Sequence, residues 1–290
     1  GDLNSPGGTV IRAGGNVAIN DYAGASLHIL AGGSVDVNSA TVTTAAQNTA
    51  LGENTLQETI ALSDGTTVEV AGAVQPTIDI RAGMPGTTSS GNPSGNSSGN
   101  GSNADINATK LLIDAPNGLI ILNNQFELGP TTGDINITGT AIGDGVLIGN
   151  VAGRGGAIFL QSQNNVTVLG ALVFANSAEQ AGTVFIAADD DVRFITLCDS
   201  GFSPTGVFSS PATLGTIGGD SGNVRIRANN LDFSDGAFIS TSAFQVSGNA
   251  GDIIIDVAET ARFDGVGIDP TTRLPFAVSG ALTKVGNSGC

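Results

Sequence analysis

The chain has 290 residues, with 10 basic against 26 acidic for a formal charge of −16, 43 glycines, one tyrosine and no tryptophan. That charge excludes partners held by neutralising phosphates, so neither nucleic acid nor an anionic membrane surface is an expected ligand, and no apolar run is long enough to insert across a bilayer. Glycine at about twice its usual share of ~7%, with no Gly-X-Y period and 40% hydrophobic residues, excludes collagen and wholesale disorder and favours β-branched strands with tight corners.

The first elements set the pattern. Thr9/Ile11 lead through a five-residue turn to Val17/Ile19, and Leu27/Ile29 lead the same way to Val35/Val37. Period-two alternation buries one face of each strand, and equal turns aim that face in one direction, so the units must stack as a solenoid. Gly14/Gly15 and Gly32/Gly33 occupy these turns, where positive φ is expected. His28, between inward Leu27 and Ile29, is expected to face solvent. Ala45 to Glu58 is polar and Ala-rich with weak helical character, and reads as an excursion from the stack. A further unit begins at Ile78 and Ile80, completing a first block of coils over residues 1–85. Residues 86–104 are almost wholly Gly, Ser, Asn, Thr and Pro, which predicts a mobile loop.

Coils then continue over residues 105–290. Strand signals resume at Leu111 to Ile113 and Leu119 to Leu122. The paired unit returns as Ile158/Leu160 to Val166/Val168, Val184/Ile186 to Val192/Phe194, and Ile253/Ile255 to Ala261/Phe263. Val224/Ile226 to Leu231/Phe233 has one turn residue fewer. Glycines two places before a strand, at Gly133, Gly156, Gly182, Gly222 and Gly251, are spaced by 23, 26, 40 and 29 residues. The longest step contains Cys198 to Gly219, expected as a surface loop. Third strands at Ala171 to Phe174 and Ala237 to Ser240 make three per coil. The predicted architecture is all-β, a right-handed parallel β-helix (solenoid) with loop excursions. Cys198 and Cys290 stand at no metal-ligand spacing and are expected to be unpaired thiols. Gly1 in place of Met, with no charged-then-apolar leader, leads us to expect an internal fragment.

Placing the units in register predicts two outward columns: Phe159, Phe185, Arg225 and Ile254 on the first strand, and Thr167, Arg193, Asp232 and Arg262 on the second. The second should form a charge ladder. In the first, Phe159 and Phe185 should stack with Arg225 close enough for a cation–π contact, either beneath a neighbouring excursion or as an exposed binding patch. Asp189, Asp190 and Asp191 share one turn, the only candidate metal ligands. Calcium wants six to eight oxygens and the side chains of consecutive residues diverge, so a solvated acidic corner is the expectation and no cofactor is predicted. With Arg193, Arg225 and Arg227 the same aspartates are the only grouping a polysaccharide lyase or hydrolase could use. A Ser/His/Asp triad would need an unrelated arrangement around the lone, outward His28, and Ile158 stands where a dinucleotide fingerprint needs its third glycine.

The phrases Pro76-Thr77-Ile78-Asp79-Ile80-Arg81-Ala82-Gly83, Ser221-Gly222-Asn223-Val224-Arg225-Ile226 and Gly248-Asn249-Ala250-Gly251-Asp252-Ile253-Ile254-Ile255 resemble the passenger region of filamentous-haemagglutinin-like exoproteins, particularly large cyanobacterial ones. The resemblance covers nearly the whole chain outside the Gly/Ser/Asn-rich loop. It implies export through an outer-membrane transporter of the two-partner type, a secreted or cell-surface location, and a non-enzymatic structural or adhesive role toward a host or neighbouring cell or its glycans. The amino-terminal secretion module with its Asn-Pro-Asn motif is missing, which places the segment inside the shaft. The alternatives from other classes are a β-helix polysaccharide lyase or hydrolase and a carbohydrate-binding surface module built on Phe159 and Phe185.

Overall fold

The computed structural model describes residues 1–46, 56–84, 104–125, 132–141, 143–149, 154–177, 179–197, 205–211, 220–241, 249–264, 266–268, 275–278 and 280–282. Among these residues the secondary structure is all β, and twenty strands join one sheet in which the pairings are parallel. A parallel sheet whose consecutive strands pair with the next turn of chain, and not with each other, winds into a β-helix. Its strands fall on three faces.

Face A holds Thr9–Ala13, Leu27–Ala31, Thr77–Arg81, Leu119–Asn123, Ala157–Ser162, Thr183–Ala188, and the leading halves of Val224–Ser234 and Ile253–Phe263. Face B begins inside Val17–Ala25, Val35–Thr44 and Ile106–Ile113 and runs through Ile135–Thr138, Val166–Leu169, Asp191–Ile195 and the trailing halves of Val224–Ser234 and Ile253–Phe263. Face C starts at Leu3–Ser5 and runs through Gly145–Ile148, Leu172–Ser177, Gly206–Pro211, Phe238–Thr241 and Gly280–Leu282. Because Thr77–Arg81 is sandwiched between Leu27–Ala31 and Leu119–Asn123, the stack is continuous across the two blocks of coils.

The register matches the predicted columns. Leu27, Ile78, Ile120, Ile158, Val184 and Val224 superpose on the inner side of face A and are fully buried. On face B the rings of Phe194, Phe233 and Phe263 form a ladder inside the core, stacked with centroids 4.7 and 5.4 Å apart. Alternation makes this possible: every second side chain meets its own equivalent one coil above, so like stacks on like.

A second ladder runs at the corner before face B. Asn16 Oδ1 accepts the N–H of Ser34, Ser34 Oγ that of Asp105, Asp105 Oδ1 that of Asp134, Asp134 Oδ1 that of Asn165, and Asn165 Oδ1 that of Asp191, at 2.9 to 3.2 Å. Corner amides left unpaired by the sheet are thus satisfied coil by coil, which is what short Asn, Asp and Ser side chains do at turns.

Several expectations change. Gly14, Gly15, Gly32 and Gly33 do not have positive φ; Gly33 is needed because a Cβ there would lie 2.1 Å from the Asn16 Oδ1 of the corner ladder. Gly133 precedes a face B strand, so it does not belong to the glycine column before face A; the column is Gly118, Gly156, Gly182, Gly222 and Gly251. Within Cys198 to Gly219, Gly206–Pro211 is a face C strand of the stack and not loop. The weak helix expected over Ala45 to Glu58, the loop over residues 86–104, and Cys198 and Cys290 lie wholly or largely outside the described residues.

Candidate functional site

The outer side of face A is covered by an element that the sequence analysis did not anticipate. Gln57–Ala61 and Thr67–Ala71 form an antiparallel hairpin. Its turn is closed by Asp64, whose Oδ1 accepts from the N–H and hydroxyl of Thr66, with Gly65 at φ +82°. Period-two alternation gives the hairpin one apolar side: Ile60, Val68 and Val70 pack on Leu119, Ile121 and Phe159, while Leu62 and Val68 reach Phe159, Phe185 and Ala187. Polar contacts hold its tip. Asp64 Oδ2 pairs with Arg225 at 2.9 Å, the Ser63 N–H donates to Gln161 Oε1 at 2.8 Å, and Arg227 donates to the Ser63 carbonyl at 3.2 Å. The Thr66 hydroxyl, opposed by burial and aided by Arg225, holds the Asp64 carboxyl below its ordinary value.

Beneath the hairpin's base lies a buried charged cluster. The outward positions of successive coils bring His28 over Asp79, with Nδ1 3.2 Å from Oδ2, and neither side chain is exposed. Arg81 donates from Nε and Nη2 to both Asp79 oxygens at 2.8 Å and also pairs with Glu58 of the hairpin. Burial alone would raise the Asp79 carboxyl, but the hydrogen bond with His28 and the Arg81 charge together hold it below the usual range. Burial would lower the Arg81 guanidinium, and Asp79 and Glu58 reverse this. His28 is therefore not at solvent, as its place in the strand predicts. It does point out of the coil, but Gly72 closes over it so tightly that a Cβ there would lie 2.2 Å from Nε2.

Where the hairpin tip overhangs the coil corners, a cleft of about 420 Å³ opens, lined by Ala61, Leu62 and Ser63 of the hairpin and by Gln125, Gln161, Gln163 and Asp189 of the coils. Gln161 is 1% exposed; its Oε1 holds the hairpin, and its Nε2, buried in the lining, takes no partner. Gln125 donates to Asp189 Oδ1 at 3.0 Å and to the Ser162 carbonyl at 2.7 Å. Burial pushes the Asp189 carboxyl up, against the nearby Arg227 charge and the Gln125 hydrogen bond.

The three aspartates of the acidic turn are separated by this arrangement. Asp189 is exposed in the lining of the cleft, Asp190 is exposed outside that lining, and Asp191 pairs with Arg193 while accepting from Asn230 at 2.9 Å. Asp191 is a rung of the corner ladder. Among the described residues no group of three or more His, Cys, Asp or Glu is placed to hold a metal ion. Phe159 and Phe185 are neighbours as the register predicts, with centroids 6.4 Å apart, but their rings are tilted by 58° and do not stack; Arg225 lies 5.8 Å from the Phe185 ring centroid. Coverage by the excursion, and not an exposed patch, describes their surroundings: Phe185 is 4% exposed. Arg193, Asp232 and Arg262 do superpose, but both arginines turn to carboxylates two residues away along the chain, Asp191 and Asp264. The expected cross-coil charge ladder is not made. The amides of Gln161 to Asn165 stand one turn from the acidic triplet in the sequence, but nothing local places Gln125, Gln161 and Gln163 around one cleft until the hairpin faces them. No family model, curated protein or solved structure matches the chain.

Proposed function

We propose that this segment is a structural and adhesive shaft of a secreted or cell-surface exoprotein of the filamentous-haemagglutinin-like kind, exported by two-partner secretion. The observation that carries the reading is axial continuity. Core side chains, corner Asn and Asp residues and the glycine column all repeat along one axis, so the residues with the most constrained geometry serve length and stiffness. The phrases that resemble exoprotein passengers, such as Thr77 to Arg81, are themselves rungs of that stack.

The lyase or hydrolase alternative rests on the cleft beside Asp189. Glycosidases of the usual type need two carboxyl groups flanking one bond, about 5 to 9.5 Å apart. Among the described residues Asp189 is the only carboxylate lining the cleft. The test uses the complete reading frame: cells displaying the protein with residues 9–282 deleted in frame should lose adhesion to neighbouring cells while still exporting the remainder. Release of reducing or unsaturated ends from a polysaccharide by the purified chain, abolished by Asp189→Asn, would overturn the shaft reading in favour of catalysis.

A further inference from the structure

We propose that the cleft between the hairpin tip and the coil corners is a binding site for a neutral saccharide. The inference rests on the adhesive reading and supplies the chemistry of its partner.

Four features of the cleft select that class. Its polar groups are mainly amides: Gln125, Gln161 and Gln163 each carry both donors and acceptors, and the alternating hydroxyls of a sugar present both in turn. Among the described residues its one carboxylate is Asp189, which feels the nearby charge of Arg227, the residue that also holds the Ser63 carbonyl at the rim. The site is thus close to neutral in a chain of charge −16, whose field disfavours an anionic polymer. The remaining wall is apolar, from Leu62, so a pyranose edge can meet the amides while its C–H face meets the hairpin. The volume of about 420 Å³ lies within the range of small-ligand sites and suits a short stretch of chain better than a large folded partner.

The cleft also carries a signal of incomplete satisfaction. Buried amide groups are nearly always hydrogen-bonded, yet the Gln161 Nε2 has no partner although its other end is fixed to Ser63. A hydroxyl seated in the cleft with a small shift of the hairpin tip gives that donor an acceptor. The rim residues Gln163 and Asp189 then take the outer hydroxyls. Asp189 is exposed in the cleft lining, and a carboxylate accepts hydroxyl donors in stronger hydrogen bonds than a neutral oxygen does.

The test titrates the whole chain with neutral tetrasaccharides of glucose, mannose, galactose and N-acetylglucosamine, and with a galacturonate tetramer, using saturation-transfer NMR and then calorimetry. At least one neutral tetramer should bind, and Asp189→Asn and Gln163→Ala should each weaken it, the former by about tenfold or more, the loss expected for a hydrogen bond to a charged group. Asp190→Asn, one residue away and outside the cleft, should leave affinity unchanged, and circular dichroism should report the same fold for all three. Absence of binding to every neutral tetramer, affinity unaffected by both cleft variants, or preference for galacturonate would each overturn the inference. Those outcomes would leave the shaft reading standing, because the deletion test of adhesion does not depend on which residues grip the partner.

Discussion

Replacing Asp79 by Asn removes the central charge of the buried cluster while preserving its shape. Arg81 is 4% exposed and would keep only Glu58, whose side chain is 38% exposed, so a guanidinium would be left largely unanswered away from water. Breaking one member of a buried pair in this way costs about 3 to 5 kcal/mol, and since Asn can still accept a hydrogen bond the lower end applies, about 3 kcal/mol. The companion variant His28→Leu/Asp79→Ile/Arg81→Leu extends the apolar surface that Ile121 and Phe159 already present to the hairpin, and should fall within about 1 kcal/mol of the parent or exceed it. Urea unfolding followed by circular dichroism gives both values, with hydrogen exchange at Thr77–Arg81 locating the loss. The pH dependence has a fixed sign. Asp79 is held below its unfolded value, so its contribution is complete above about pH 4 and is lost as pH falls through the depressed folded value; the Asn variant should lack this part of the acid transition. A single variant within about 0.5 kcal/mol of the parent, or a triple variant as unstable as the single one, would refute the reasoning.

Phe233→Ala should cost about 4 kcal/mol, because the ring is fully buried and stacks on both Phe194 and Phe263, whereas Phe233→Leu should cost roughly half that; chemical denaturation reads both. Gly182→Ala would place a Cβ 1.9 Å from the Gly156 carbonyl oxygen and should destabilise by about 1 to 3 kcal/mol, while Gly15→Ala, with nothing within 4 Å, should change the melting temperature little. Tyr22 is the only tyrosine, and burial raises its hydroxyl above the ordinary value of 10.0 despite hydrogen bonds to Thr9 and Ser5. Its contribution is present below pH 10 and is lost as pH climbs toward the raised folded value, so melting curves between pH 9 and 12 should fall more steeply for the parent than for Tyr22→Phe.

The register was legible because it follows from local pattern alone. A period of two and turns of nearly equal length place Phe159 under Phe185 and Arg193 under Asp232 without knowledge of anything distant. The corner ladder was equally open to view, since Asn16, Ser34, Asp105, Asp134 and Asn165 each stand one residue before a face B strand and Asp191 opens one. Ionic partners were harder to foresee. Arg193 has a carboxylate both above it and two residues before it, and the closer one on its own strand wins. What sequence could not supply was the hairpin's landing place. Its five-residue strands are typical of any surface hairpin, and nothing local says that Ile60 rests on Leu119 or that Ser63 reaches Gln161, nearly a hundred residues later. The burial of His28, the cover over Phe185 and the cleft itself all descend from that one docking event.

A solenoid held by neighbour contacts alone can fray from either end one turn at a time. The hairpin changes that, because it is anchored to Arg81 at its base and to Arg225 at its tip, four turns and roughly 19 Å further along. Loosening any rung between those anchors leaves the brace gripping the rungs on either side, so the middle of the rod must come apart as a block or not at all. Pulled along its length, the molecule should therefore yield in one large step across this span, with small steps confined to the turns outside it.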